Sequence, residues 1–91
     1  MNYNMANRIV KHVLEHVKGI KTTHFTSEYE GKIYSVDFIT ERKFTDIIED
    51  LKIIGDIECI FIEDDYMNIE LTIGNDKMYF SFWKSKKVSN N

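Results

Sequence analysis

Residues 57–83 read Ile57-Glu58-Cys59-Ile60-Phe61-Ile62-Glu63-Asp64-Asp65-Tyr66-Met67-Asn68-Ile69-Glu70-Leu71-Thr72-Ile73-Gly74-Asn75-Asp76-Lys77-Met78-Tyr79-Phe80-Ser81-Phe82-Trp83. Apolar and polar side chains alternate along much of this stretch, the pattern of strands with one buried face. Asp64-Asp65 and Asn75-Asp76 break the alternation as two-residue turns. Three antiparallel strands result, over 57–63, 66–73 and 77–83. In these registers Ile60, Ile62, Met67, Ile69, Leu71, Met78, Phe80 and Phe82 point to one side. A slip of one residue would turn a whole strand's set outward, so agreement across three strands sets the faces.

Upstream, Phe44, Ile47, Ile48, Leu51 and Ile54 recur at helical spacing and predict a helix over 41–54. Thr40 caps it, Glu41 sits favourably in its first turn, and Gly55 ends it. Before it, 20–29 and 32–39 read as a hairpin turning at Glu30-Gly31. That turn pairs Ser27 with Tyr34, Phe25 with Val36 and Thr23 with Phe38, and directs Phe25, Tyr34, Val36 and Phe38 to the helices. A first helix spans 4–18, with Met5, Ile9, Val10, Val13, Leu14 and Val17 on its apolar side and Gly19 as a left-handed stop. The chain therefore reads as one small α+β domain over residues 1–83, in the order α-β-β-α-β-β-β. Its sheet is mainly antiparallel, with two helices packed on one face. Residues 84–91 form a basic polar tail expected to fray. How the two strand groups join is left open; a parallel junction is allowed, because the second helix can serve as a crossover.

Ninety-one residues make one domain, and 43% hydrophobic with 13% aromatic content belongs to globular chains. The single cysteine, Cys59, excludes an internal disulfide and suits a reducing compartment. No apolar run is long enough to span a bilayer, and the polar start Met1-Asn2-Tyr3-Asn4 is unlike a signal peptide, so a cytoplasmic protein away from membranes is expected. Thirteen isoleucines, many Lys and Asn and no proline fit AT-rich coding, as in a low-GC bacterium or its phages.

The net charge of −3 conceals a segregation: +3 over residues 1–21, −1 over 22–43, −9 over 44–76 and +4 over 77–91. Asp46, Glu49 and Asp50 lie opposite the core stripe of the second helix, and Asp64 and Asp65 crowd a turn. Such a surface steers basic partners and repels nucleic acid, which is not expected as the main ligand. A charged outer face also serves solubility alone.

With both helices on one side, the other sheet face lacks a cover. It presents Thr22, His24, Thr26, Ile33, Ser35 and Asp37 from the hairpin, and Cys59, Phe61, Tyr66, Asn68, Glu70, Thr72, Tyr79, Ser81 and Trp83 from the meander. Phe61, Asn68 and Trp83 are expected side by side. The aromatic set Phe61, Tyr66, Tyr79 and Trp83 marks a surface for a partner or for homodimerisation, unless a chain terminus covers it.

His12-Val13-Leu14-Glu15-His16 fits the pattern H-x-x-E-H and resembles the signature of the inverted zinc peptidases. That resemblance implies zinc on His12 and His16 with Glu15 activating water, but it covers five residues of 91 and lacks the family's downstream acidic ligand and enclosing chain. Neither a Gly-rich phosphate loop nor a nucleophile elbow occurs. The expectation is no enzyme, no metal and no cofactor.

The expected function is non-enzymatic binding of a protein with a basic surface, through Asp46, Glu49, Asp50, Asp64 and Asp65. In size, acidity, codon bias and absence of catalytic motifs the chain is similar to phage anti-CRISPR proteins. The likeness implies an inhibitor encoded by a phage or mobile element that covers the basic surface of a nucleic-acid-handling host protein. The alternative is a self-associating structural or regulatory subunit that uses the uncovered sheet face.

Overall fold

The computed structural model describes residues 3–27 and 34–85, with side chains over 7–22 and 35–85. Seven elements follow in the expected order: α1 (Tyr3–His16), β1 (Ile20–Ser27), β2 (Tyr34–Thr40), α2 (Phe44–Ile54), β3 (Asp56–Ile62), β4 (Tyr66–Ile73) and β5 (Asp76–Lys84). The strands form one five-stranded sheet in the order β1-β2-β5-β4-β3. Every neighbouring pair is antiparallel except β2 and β5, which run parallel. The second helix thus carries the chain from β2 to the far edge, and the meander returns β5 to the centre. The Glu30-Gly31 turn lies outside the described residues.

The core fills the space between the helices and one sheet face. Val10, Val13 and Val17 of α1 and its C-terminal flank, and Phe44, Ile47, Ile48 and Leu51 of α2, bury against Val36, Phe38, Met67, Ile69, Leu71, Met78, Phe80 and Phe82. At its centre the Phe38 ring stacks on Phe82 at 5.0 Å between centroids and meets Phe80 edge-on at 5.5 Å. Both arrangements suit the aromatic quadrupole.

Several local expectations are corrected. The β4–β5 turn is Gly74-Asn75, with Ile73 opposite Asp76, because Gly74 takes a left-handed φ of 64°. The register moves by two residues, which preserves the faces but places Ser81 instead of Trp83 beside Asn68. In β1 an irregularity between Thr22 and His24 puts Thr22, not Thr23, opposite Phe38. A bulge of this kind reverses the faces beyond it, so Thr22 leaves the uncovered face for the core side. Ile60 and Ile62 do share the core face, yet both stay exposed, since α2 ends where β3 begins and covers only its first turn of chain near Ile57. Leu14 is also exposed, whereas Val10, Val13 and Val17 of the same stripe are buried.

Helix α2 starts at Phe44, three residues later than expected. Thr40 does not cap it. Its hydroxyl instead donates to the Gly19 carbonyl at 2.6 Å and accepts from the Arg42 amide at 3.0 Å, fastening the end of α1 to the end of β2. Lys84 belongs to the sheet and not to a frayed tail: it closes β5, and the Ser85 amide donates to the Thr40 carbonyl at 2.9 Å. Among the described residues no helix is long and apolar enough to cross a membrane.

Candidate functional site

The most distinctive surface is the corner where β3 ends. Ile60, Phe61 and Ile62 are consecutive and 41%, 49% and 48% exposed, and Trp83 is 44% exposed. Consecutive strand residues face opposite ways, so the apolar surface wraps around an edge strand, with the isoleucines on the helix side and Phe61 on the uncovered side. Phe61 lies 6.0 Å from Tyr66, and Tyr66 stacks on Trp83 at 5.0 Å with 25° between ring planes. Three rings from three strands thus form one ridge. In register beyond Trp83, half-buried Ile39 extends it onto β2.

The turn that joins β3 to β4 caps the same corner with Glu63, Asp64 and Asp65, all exposed. Its closure is regular: the Glu63 amide donates to the Tyr66 carbonyl at 2.8 Å. The structure therefore brings the two acidic turn residues picked out in the sequence, Asp64 and Asp65, beside Phe61, Tyr66 and Trp83.

Helix α2 approaches from the same end, because Lys84 at the end of β5 packs over the ring of its first residue, Phe44, at 4.6 Å. Its acids play different parts. Asp46 and Glu49 are exposed, and Glu49 pairs with Lys52 at 3.2 Å. Asp50 is drawn inward: Arg42 Nη1 donates to it at 2.8 Å and to the Lys18 carbonyl at 2.6 Å. The Arg42 hydrogen bond holds the Asp50 carboxyl below its ordinary range against the opposing effect of desolvation. Asp50 is accordingly part of a clasp between α1 and α2, not a free acidic contact. The clasp also consumes a cation. Lys84 Nζ likewise donates to the Arg42 carbonyl. Arg42 and Lys84 thus turn inward while the turn acids are exposed; Lys18, Lys21 and Lys43 at this end are exposed as well.

Tyr79 stands apart from the ridge. Ser81 separates it from Trp83 along β5, and the Glu70 carboxylate accepts from its hydroxyl, which raises the phenol above its ordinary value. Glu70 also pairs with Lys77 at 3.6 Å. Between this polar group and Phe61 lies a shallow depression of 330 Å³, whose lining includes Ser35, Cys59, Asn68 and Ser81. Ser81 Oγ donates to Asn68 Oδ1 at 2.7 Å across its floor. Cys59 is exposed. The side chain of His24, expected on the same sheet face, lies outside the described residues.

On α1, exposed His12, Glu15 and His16 bring one ligand atom each to within 4.8 Å of one another. The spacing i, i+3, i+4 places the three on one helix face. No protein-family model matches the chain, and no curated protein sequence matches it significantly.

Proposed function

We propose that the chain is a non-enzymatic protein-binding module whose contact surface is the β3 corner. The ridge Phe61–Tyr66–Trp83 and the exposed Ile60 and Ile62 form its apolar centre, and Glu63, Asp64 and Asp65 its acidic rim. The observation that carries this reading is the coincidence of an exposed apolar cluster with a concentrated charge at one end of the sheet. Interfaces combine a desolvated aromatic centre with a polar rim, and aromatic anchors dominate their energetics. The acidic rim selects a partner with a basic surface. A protein that handles nucleic acid offers one, and an inhibitor of phage or mobile-element origin that covers its phosphate-binding surface is the form of the function that charge and size favour.

Affinity capture from lysates of low-GC bacteria tests it, with three baits: the wild type, Phe61→Ser/Trp83→Ser, and Asp64→Lys/Asp65→Lys. One basic protein recovered by the wild type and lost with both variants is the expected result. Equal recovery by all three contradicts the reading.

A second reading, a cytoplasmic self-associating subunit, rests on β3 being an edge strand with its outer backbone unpaired within the described sheet. Two copies meeting there would bring two acidic turns together. Such a dimer therefore strengthens with added salt, whereas contact with a basic partner weakens.

A further inference from the structure

The geometry points to a divalent transition-metal site on the outer face of α1, formed by His12, Glu15 and His16. It is independent of the proposed partner surface.

The three residues occupy successive turns of one helix and all are exposed, so metal has direct access and the side chains are free to adjust. Their ligand atoms lie within 4.8 Å of one another, and the two imidazole centroids are 4.2 Å apart. Tetrahedral ligands at normal bond lengths of about 2.1 Å stand roughly 3.4 Å apart, so small side-chain rotations close the site.

The second observation concerns the tautomer. His16 Nδ1 lies 2.9 Å from the His12 carbonyl oxygen. A carbonyl only accepts, so Nδ1 carries the proton and Nε2 presents its lone pair. Metal-binding histidines are held in this way, by donating the other ring N–H to a backbone carbonyl or carboxylate. The helix backbone thus supplies the orienting contact.

Two imidazoles and one carboxylate suit zinc, copper, nickel or cobalt and not calcium or magnesium, which take oxygen ligands. Three protein ligands leave at least one position of a tetrahedral ion to water or to a ligand from outside. The donors bridge two turns, so bound metal also stabilises α1.

Titration of the tag-free, chelator-treated protein with zinc chloride by calorimetry tests the site, with cobalt absorption as a second readout of coordination. One equivalent bound is expected. His12→Ala and His16→Ala should each weaken binding by at least the roughly 10–100-fold that loss of even an orienting partner causes. Glu15→Gln should weaken it less and alter the cobalt spectrum. His24→Ala and Cys59→Ser should leave it unchanged. Because the three ligands are exposed, circular dichroism should find every variant folded. Binding by His12→Ala or His16→Ala equal to that of the wild type overturns the site. So does dependence on His24 or Cys59, or no binding above the His12→Ala/His16→Ala background.

Discussion

Tyr66 and Trp83 face one another across β4 and β5, their rings stacked 5.0 Å apart on the sheet face opposite α1 and α2. The pair is more than surface decoration. It joins Phe61 into a ridge beside the Glu63–Asp65 turn, and this juxtaposition underlies the functional proposal. Trp83 is 44% exposed, so Trp83→Ala loses part of its burial together with the aromatic pair and is predicted to cost about 1–3 kcal/mol. Urea unfolding followed by circular dichroism measures this, and a much larger loss would assign Trp83 to the core.

Phe38 marks the opposite extreme. It is fully buried between the rings of Phe80 and Phe82. Phe38→Ala should cost about 3–5 kcal/mol, a large part of the roughly 5–15 kcal/mol that holds a domain together. The same urea titration should find the variant mostly unfolded or with its midpoint sharply lowered.

Thr22 carries the converse prediction. The bulge in β1 turns it toward the core, where its Oγ1 is buried with no hydrogen-bond partner among the described residues. Thr22→Val keeps the shape and removes the unmatched hydroxyl, and should stabilise by about 1 kcal/mol. A rise in melting temperature of roughly 4–8 °C is expected. A fall would mean that the hydroxyl is satisfied in solution.

Gly19 and the Arg42–Asp50 clasp are coupled. Gly19 has φ 73°, and a Cβ there would lie 2.5 Å from Arg42 Cδ. Gly74 has φ 64° with nothing within 4 Å of such an atom. Alanine at either position pays left-handed strain of about 1 kcal/mol, but only Gly19→Ala also displaces Arg42. Gly19→Ala should therefore be the more destabilising in thermal melts.

The same clasp has a pH signature. The Asp50 carboxyl is held below its unfolded value of about 3.9, so its contribution is present above that pH and fades as pH falls through the folded value. Both partners are partly exposed, which limits the contribution to under about 1 kcal/mol. The stability difference between wild type and Asp50→Asn should shrink below about pH 4. A difference that persists there would assign the effect to packing.

What the sequence made legible follows from its periodicities. Alternation through residues 57–83 sets the buried faces even though the second turn is displaced, because a register error of two residues leaves every side chain on its own side. The stripe Phe44, Ile47, Ile48, Leu51 likewise predicts the packed face of α2. Features without a local signal escaped. The β1 bulge arises in a run of threonines that reads equally well as regular strand. The exposure of Ile60 and Ile62 depends on where a helix stops, not on their own alternation. Arg42 and Asp50 are eight residues apart, and their pairing needs the chain to turn between β2 and α2. At the candidate site, both the aromatic face and the acidic turn were readable. Their meeting at one corner depended on register, and Asp50 and Tyr79 leave the group because each has a partner elsewhere.

The chain's single tryptophan is Trp83, which gives the central claim a native probe. Its emission should be recorded free and in the complex with the captured basic protein, as the difference from the Trp83→Phe chain. If the ridge is the contact surface, saturating partner shifts emission to the blue and suppresses acrylamide quenching, while concentrating the chain alone changes neither. Unchanged emission and quenching in a saturated complex would contradict the account.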